Sequence, residues 1–262
     1  MRNPQLTYYD LGERVTAFST TRHGGTSKGL YGELNLNSYC GDEPQDVEKN
    51  RAALCHLLNI PTKGSLIIPH QVHATETRII DNRLLQLPTE ERQQLLEGVD
   101  AVMTNVEDVC IGVSTADCIP ILLYDPIHHC AAAIHAGWRG TVKRIAEKTA
   151  LLMAETYHSE FAQIKAVIGP GISLKNFEVG NEVYDAFAEA SFPMEKIATR
   201  QEKWHIDLPM CNRLQLEQLG IPKESIYDSG ICTFSNHNDY FSARRLGISS
   251  GRIYTGIILR KQ

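Results

Sequence analysis

Four short apolar runs between positions 98 and 137 constrain the fold more than any other feature of this sequence. Turn residues separate the runs, and each run is short and continuously apolar, which is the pattern of buried β-strands. The runs are GVDAVMT (98–104), VCIGVST (109–115), IPILLYD (119–125) and CAAAIHAG (130–137). The centre of the chain is therefore predicted to form the middle of a β-sheet.

Amphipathic helices and further strands flank this centre. Because strand groups are separated by few helices, the pattern favours an α+β fold with mixed sheets and outer helices over a regular βαβ alternation. No stretch of the 262 residues resembles a linker, so a single domain, residues 1–262, is predicted. Helices are predicted over 87–98, 141–157, 179–190 and 210–220, and strands over 164–172 and 252–260.

Charge and cysteine content limit the partners and the compartment. Lys and Arg number 26 against 31 Asp and Glu, so the net charge of -5 lacks the basic surplus of a nucleic-acid-binding protein. No apolar run reaches the roughly 18–20 residues that span a bilayer, and the N-terminus lacks the apolar core of a secretory signal. The 7 scattered cysteines, an odd number without a C-x-x-C pair, favour reduced thiols in the cytoplasm. No nucleic acid and no membrane is expected as a partner; the oligomeric state stays open, and a monomer fits.

Three places bring reactive side chains to the ends of buried strands. They are PHQVHAT with His70 and His73, STADCIP with Cys118, and AAIHAGWRGT with His135. Taken singly, such a histidine is usually a hydrogen-bonded core residue and such a cysteine a small hydrophobe. Cys118 and His135, however, end strands that are consecutive in sequence, and consecutive strands are often neighbours. Two His and one Cys would suit Zn²⁺ and leave a fourth position open, as in catalytic zinc sites.

Glycine-rich segments near these positions suit an anion. Arg22 lies in TTRHGGTSKG (20–29), Arg139 precedes Gly140 at a helix start, and Gly-Pro-Gly (169–171) ends a strand. Free backbone N–H groups at such turns can bind phosphate, although the same glycines can simply make turns. None of them forms a Walker or G-x-G-x-x-G motif.

The sequence resembles the family variously called multicopper polyphenol oxidase (laccase-like), YfiH/YlmD-like or peptidoglycan editing factor. TADC-x-P followed by HAGWRG is the most specific part of this resemblance, and the shared motifs run in order from near residue 18 almost to the C-terminus. These motifs are FSTTRHGGTSKGLYGELNLN (18–37), GDEPQDVEKNR (41–51), QVHATE (71–76), VDAVMT (99–104), STADCIPILLYD (114–125), HAGWRGT (135–141), IGPGI (168–172), FEVG (177–180), CTF (232–234) and FSARR (241–245).

The resemblance implies a layered α/β/β/α arrangement with mixed β-sheets and a metal site made of His73, Cys118 and His135. His70 lies outside the motif. Oxygen reduction by a laccase needs further histidine-bound coppers, and the chain has 10 His but no H-x-H pair. Zinc is therefore the predicted ion. Copper would also fit, since it binds such ligands more tightly than zinc, and would allow polyphenol oxidation.

The resemblance also implies purine nucleoside chemistry with a nucleoside and phosphate as small-molecule partners. The reactions are phosphorolysis of adenosine, inosine and S-methyl-5′-thioadenosine, and deamination of adenosine to inosine. Asp117 is the candidate acid/base group because it adjoins Cys118, with a turn-stabilising role equally open. Arg22 and Arg139 are the candidate phosphate ligands, because arginine presents a planar fork of donors. Two rival functions remain, a hydrolase that edits a muramyl peptidoglycan precursor and a zinc-stabilised binding module.

Overall fold

The computed structural model describes residues 3–62 and 64–261. Strands and helices alternate irregularly along the chain, as expected for an α+β protein. In order they are β1 (Leu6–Tyr9), β2 (Val15–Thr20), α1 (Pro44–Leu57), β3 (Leu66–Ile67), β4 (Thr77–Ile79), α2 (Asn82–Gln86), α3 (Thr89–Leu95), β5 (Ala101–Thr104), β6 (Cys110–Thr115), β7 (Ile119–Asp125), β8 (Cys130–Ala136), α4 (Trp138–Val142), α5 (Ile145–Tyr157), β9 (Lys165–Ile168), β10 (Glu178–Val179), α6 (Asn181–Glu189), α7 (Met194–Ile197), β11 (Ala198–Arg200), β12 (Trp204–Ile206), α8 (Leu208–Gln218), β13 (Ile226–Asp228), α9 (Ala243–Leu246) and β14 (Ile253–Leu259).

The strands of these ranges form two large sheets and one small one. The first large sheet has the order β1-β2-β14-β6-β3, and the second has the order β13-β9-β7-β8-β5-β4. Most neighbours are antiparallel, but β3 with β6, β4 with β5 and β13 with β9 are parallel. The small sheet has the order β10-β12-β11. The sheets are therefore mixed, as the sequence predicts.

The two large sheets face each other with helices on their outer sides. Side chains alternate along a strand, so one strand serves two cores. On β7, Ile121 belongs to the core shared with α5, α6 and α8, whereas Leu122 belongs to the core between the sheets. On the far side, Leu54 of α1 packs with Tyr254 of the first sheet. This α/β/β/α layering confirms the predicted fold class.

The four central runs form β5, β6, β7 and β8, but the single helix predicted over 141–157 is wrong. The structure has α4 and α5 instead, separated at Arg144, whose φ of 61° is left-handed. No glycine marks this break, and arginine rarely adopts such a φ. The Arg144 side chain donates to the Ala190 carbonyl at 3.1 Å and lies over the Phe192 ring, so contacts distant in sequence hold the break. Within the described ranges, no helix combines the length and apolar character needed to cross a membrane.

Candidate metal centre

Strand alternation brings Cys118 and His135 to the same face of the second sheet. On β8, Ala133 faces the core between the sheets, and His135 comes two residues later. Pro120 on β7 lies opposite His135 in the strand register. Cys118 precedes Pro120 by two residues and continues its row just beyond the end of β7. The period of two therefore places both side chains at the mouth of the space between the sheets.

A buried carboxylate joins His73 to this pair. His73 lies in the loop between β3 and β4 with a left-handed φ of 62°. The backbone N–H groups of Val72, His73 and Ala74 donate to the carboxylate of Asp100 at 3.2, 2.9 and 2.8 Å. Asp100 also accepts a hydrogen bond of 2.7 Å from His135 Nδ1, which leaves Nε2 of that ring for a metal. One side chain thus orients two candidate ligands.

The three candidate ligands form a compact group. One donor atom of each of His73, Cys118 and His135 lies within 4.8 Å of the other two, and His135 is buried while His73 is exposed. Burial raises the pKa of the Cys118 thiol, but the imidazoles of His135 and His73 lower it by a larger amount. The pKa of Cys118 therefore lies below that of an ordinary cysteine. Conversely, burial lowers the pKa of His135, and the Cys118 thiolate and Asp100 carboxylate raise it above its ordinary value. Two imidazoles and a thiolate are a donor set that zinc and copper both accept.

Gly137 packs against all three ligands. A Cβ atom at this position would lie 2.9 Å from His73 Cδ2, 3.1 Å from Cys118 Sγ and 3.8 Å from His135 Cε1. Its φ of -68° is open to any residue, so the need for glycine is steric and not conformational. The missing side chain is what lets the ligands converge.

Replacing Gly137 by Ala should therefore weaken metal binding without unfolding the protein. The added methyl group displaces the exposed His73 ring, and we expect the metal affinity to fall about tenfold or more, as for other changes that misplace ligands. Competition with a zinc-binding dye would measure the affinity, and thermal unfolding of the metal-free protein would show that the fold is intact. Unchanged affinity would show that the three ligands tolerate the methyl group.

A cavity of about 250 Å³ opens beside the three ligands, all of which line it. Ser114 and Thr115, the last residues of β6, line it as well, and their hydroxyl groups have no hydrogen-bond partner within the described chain. Successive side chains of a strand point to opposite faces, so no more than one of these two hydroxyl groups faces the cavity. The cavity leaves one side of the metal position open, which is the arrangement of a catalytic rather than a closed structural site.

Asp117 points away from this cavity. Its Oδ1 accepts from the Thr233 hydroxyl at 2.7 Å, and its Oδ2 accepts from the Arg244 backbone N–H at 2.7 Å. Its φ of 85° is left-handed, and its own carbonyl accepts from the Ile172 N–H. These contacts match the turn-stabilising role, one of the two roles that the sequence left open. The acid/base role stays a prediction.

Replacing Asp117 by Asn separates these two roles. An amide can accept only one of the two hydrogen bonds well, so we expect the free energy of unfolding to fall by about 1–3 kcal/mol. Urea denaturation would measure the loss, and turnover would be assayed on the folded, metal-loaded variant. Loss of turnover with the metal still bound would support acid/base catalysis, and retained turnover would exclude it.

The two candidate phosphate ligands do not line the metal cavity. Arg22 donates from Nε to the Gly32 carbonyl and from Nη1 to the His237 carbonyl, both at 2.8 Å, so most of its planar fork ties two loops together. Arg139 is exposed on α4, with its guanidinium 4.3 Å from the centre of the Trp138 ring. The structure thus brings together the three predicted metal ligands but neither arginine. Their phosphate-binding roles stay predictions.

Comparison with known sequences identifies the family. The profile of the family described as multi-copper polyphenol oxidoreductase laccase matches residues 16–260. The chain belongs to this laccase family. Despite the family's description, His73, Cys118 and His135 are the one group of three or more potential ligands found within residues 3–62 and 64–261.

Relatives in the laccase family are named for reactions of purine nucleosides. A purine nucleoside phosphorylase of Bacteroides thetaiotaomicron is 44% identical over 251 residues, which cover 94% of this chain and 92% of that protein. Adenosine deaminase RL5, from an unknown prokaryotic organism, is 42% identical over 248 residues, covering 94% of each. The crystal structure of YlmD from Geobacillus stearothermophilus has a TM-score of 0.87 at 30% identity and covers 95% of this chain and 93% of its own. These names support an enzyme that processes purine nucleosides.

Two residues of this laccase-family site escaped the sequence analysis. Asp100 lies in VDAVMT, one residue before β5, and a charged residue in an otherwise apolar run was the available signal. Gly137 closes the run CAAAIHAG, which the sequence predicts as a strand without a role for its glycine. What the sequence did not show is that both residues contact ligands far away along the chain.

Proposed function

We propose that this protein is a zinc-dependent purine nucleoside phosphorylase that also deaminates adenosine. The observation that carries the proposal is the open three-ligand group of His73, Cys118 and His135 at the wall of a cavity. The names of two relatives more than 40% identical support both reactions. In phosphorolysis a phosphate oxygen bonds to ribose C1′ while the bond from C1′ to the base nitrogen breaks, and the base takes up a proton. In deamination water adds to C6 of adenine and ammonia leaves.

Zinc is the ion that we propose for this site, because a single ligand group does not make a laccase centre. A laccase-type oxidation requires several coppers, and only one three-residue ligand group lies in the described part of the chain. When bound, zinc supplies a Lewis acid that polarises an oxygen atom and lowers the pKa of water. Copper would fit the same ligands, so the ion has to be measured together with the activity.

The chain's own residues orient and surround the substrate. Asp100 fixes His135 with its Nε2 turned away from the carboxylate, and the same carboxylate holds the His73 loop. Ser114 and Thr115, at the end of β6, form part of the cavity wall against which a nucleoside would bind. Because these groups are fixed by the sheet, they lose little entropy on binding.

The proposal is tested by incubating purified protein of measured metal content with adenosine, with and without phosphate, and resolving the products by chromatography. We expect adenine only in the presence of phosphate, inosine in the sample without phosphate, and inosine together with hypoxanthine from its phosphorolysis in the sample with phosphate. The Cys118→Ala variant, which lacks one ligand, serves as the inactive control. Absence of both products from a zinc-replete sample would contradict the proposal. Release of an amino acid from a UDP-muramyl conjugate by the same sample would then support the editing hydrolase.

A further inference from the structure

A second cavity, of about 350 Å³, adjoins the metal cavity. Tyr39 lines both cavities, and its ring stacks on the ring of His70 with centroids 4.1 Å apart. The other walls come from α1, from Thr62 and Gly64, from the β3 region and from α3. We call this second space the arginine cavity, because Arg51 and Arg92 line it. Its size lies within the range of ligand-binding cavities.

Arg92 of α3 presents a free guanidinium to the arginine cavity. Within residues 3–62 and 64–261 its side chain makes no hydrogen bond and no ion pair, although the residue is partly buried. Gly64 lies against it, because a Cβ at that position would be 3.1 Å from Arg92 Nη1. A guanidinium carries five N–H donors, and those of Arg92 are left to a ligand or to water.

Arg51 of α1 adds a second charge that no carboxylate contacts. Its Nε donates to the Leu36 carbonyl at 2.8 Å and its Nη2 to the Ser38 hydroxyl at 3.3 Å, so the side chain is held in place by neutral acceptors. Glu48 also lines the cavity, but it is exposed and forms no ion pair with Arg51 in the described chain. Burial lowers the pKa of Arg51, and the carboxylate of Glu48 opposes this shift without forming an ion pair. A chain with a net charge of -5 thus places two guanidinium groups, neither in an ion pair within the described residues, around one cavity.

We propose that the arginine cavity binds a phosphoryl group. Two guanidinium groups can each present parallel N–H donors to a tetrahedral oxyanion, and such charge-assisted pairs are among the strongest hydrogen bonds in proteins. The hydroxyl groups of Ser38, Thr62 and Thr89 line the same cavity and supply further donors. The phosphoryl group can belong to free phosphate or to a phosphate monoester such as a nucleotide. The site does not depend on the reaction proposed above, because binding is measured without turnover.

The test is isothermal titration of the zinc-loaded protein with inorganic phosphate and, separately, with AMP. We expect Arg92→Ala to weaken binding of the phosphoryl ligand by about 10- to 100-fold, the usual effect of losing hydrogen bonds to a charged group. Because the Arg92 side chain makes no hydrogen bond within the described residues, and its backbone bonds survive in alanine, the variant should fold normally. Arg92→Lys should recover part of the affinity through its charge alone. Arg83→Ala, which removes an exposed arginine of α2 outside the cavity, is the matched control and should bind as the original protein does.

The two ligands distinguish the sources of the phosphoryl group. Binding of phosphate that is weakened by Arg92→Ala identifies the free anion, and Arg92-dependent binding of AMP without binding of phosphate identifies a phosphate monoester. Both results support the site. If Arg92→Ala leaves the affinity for both ligands unchanged, for example because phosphate binds at the zinc ion, the proposal is overturned. It is also overturned if neither ligand binds at about 10 mM, a concentration that detects dissociation constants in the millimolar range.

Discussion

Replacing His73 by Ala is expected to remove most of the bound metal and to lower kcat/KM for adenosine by about a thousandfold or more. His73 is exposed, so its loss does not disturb the core, yet only two candidate ligands remain. A catalytic ion stabilises the transition state by several kcal/mol, and each 1.36 kcal/mol of lost stabilisation lowers the rate about tenfold. Metal content would be measured by elemental analysis after dialysis, and kcat/KM by chromatography of the products.

His70 provides the matched control for this substitution. His70 lies three residues earlier in the same loop and lines the same cavity. It is not one of the three candidate ligands, because its Nδ1 forms a hydrogen bond of 2.5 Å with Glu97 Oε1. His70→Ala should retain the metal. Equal metal loss in both variants would show that the loop as a whole, and not the His73 imidazole, holds the ion. Full metal content in His73→Ala would contradict the assignment of His73 as a ligand.

Replacing Asp100 by Asn is expected to lower the metal affinity by about 10- to 100-fold, the usual effect of losing a carboxylate that orients a histidine ligand. Asp100 is fully buried and accepts four hydrogen bonds, one from the His135 ring and three from the backbone of the His73 loop. An amide turns an NH₂ group towards some of these donors, so it loses acceptors and gains repulsion. Zinc titration of the folded variant would measure the affinity.

Asp125 separates ligand positioning from a general loss of stability. Like Asp100 it is fully buried and accepts hydrogen bonds from the backbone and from a histidine, here His128 at 2.8 Å. It lies at the far end of β7 from Cys118, about 20 Å away along an extended strand of this length. Asp125→Asn should therefore destabilise the protein to a similar degree while leaving the zinc affinity unchanged. If both variants lose affinity equally, Asp100 acts through overall stability alone.

The family's description names several coppers, whereas the site offers one ligand group that suits either zinc or copper. A laccase couples several coppers, because oxygen takes up four electrons, whereas this chain assembles one His₂Cys group in its described part. The relatives named for phosphorolysis and deamination carry out reactions without electron transfer. A redox-inactive ion suits that chemistry, which is why elemental analysis belongs with every activity measurement on this protein.

The pattern of the sequence predicts the central strands, and its family resemblance predicts the three candidate ligands. The runs at 98–137 are continuously apolar because β5 to β8 are buried on both faces, and this pattern is visible without knowledge of the tertiary structure. Cys118 and His135 could be paired because they end consecutive strands. The choice of His73 over His70 came from the resemblance, since extended geometry alone allowed either residue.

Features that depend on contacts distant in sequence are visible only in the folded protein. Three features depend on contacts between segments that are separated along the chain. They are the helix break at Arg144, the convergence of three loop N–H groups on Asp100, and the contact of Gly137 with the candidate ligands. Local propensity carries no information about such contacts, because they arise only when the sheets pack. The same holds for Arg92, which the sequence shows as an ordinary surface arginine of a short helix and the fold places in a cavity beside Arg51.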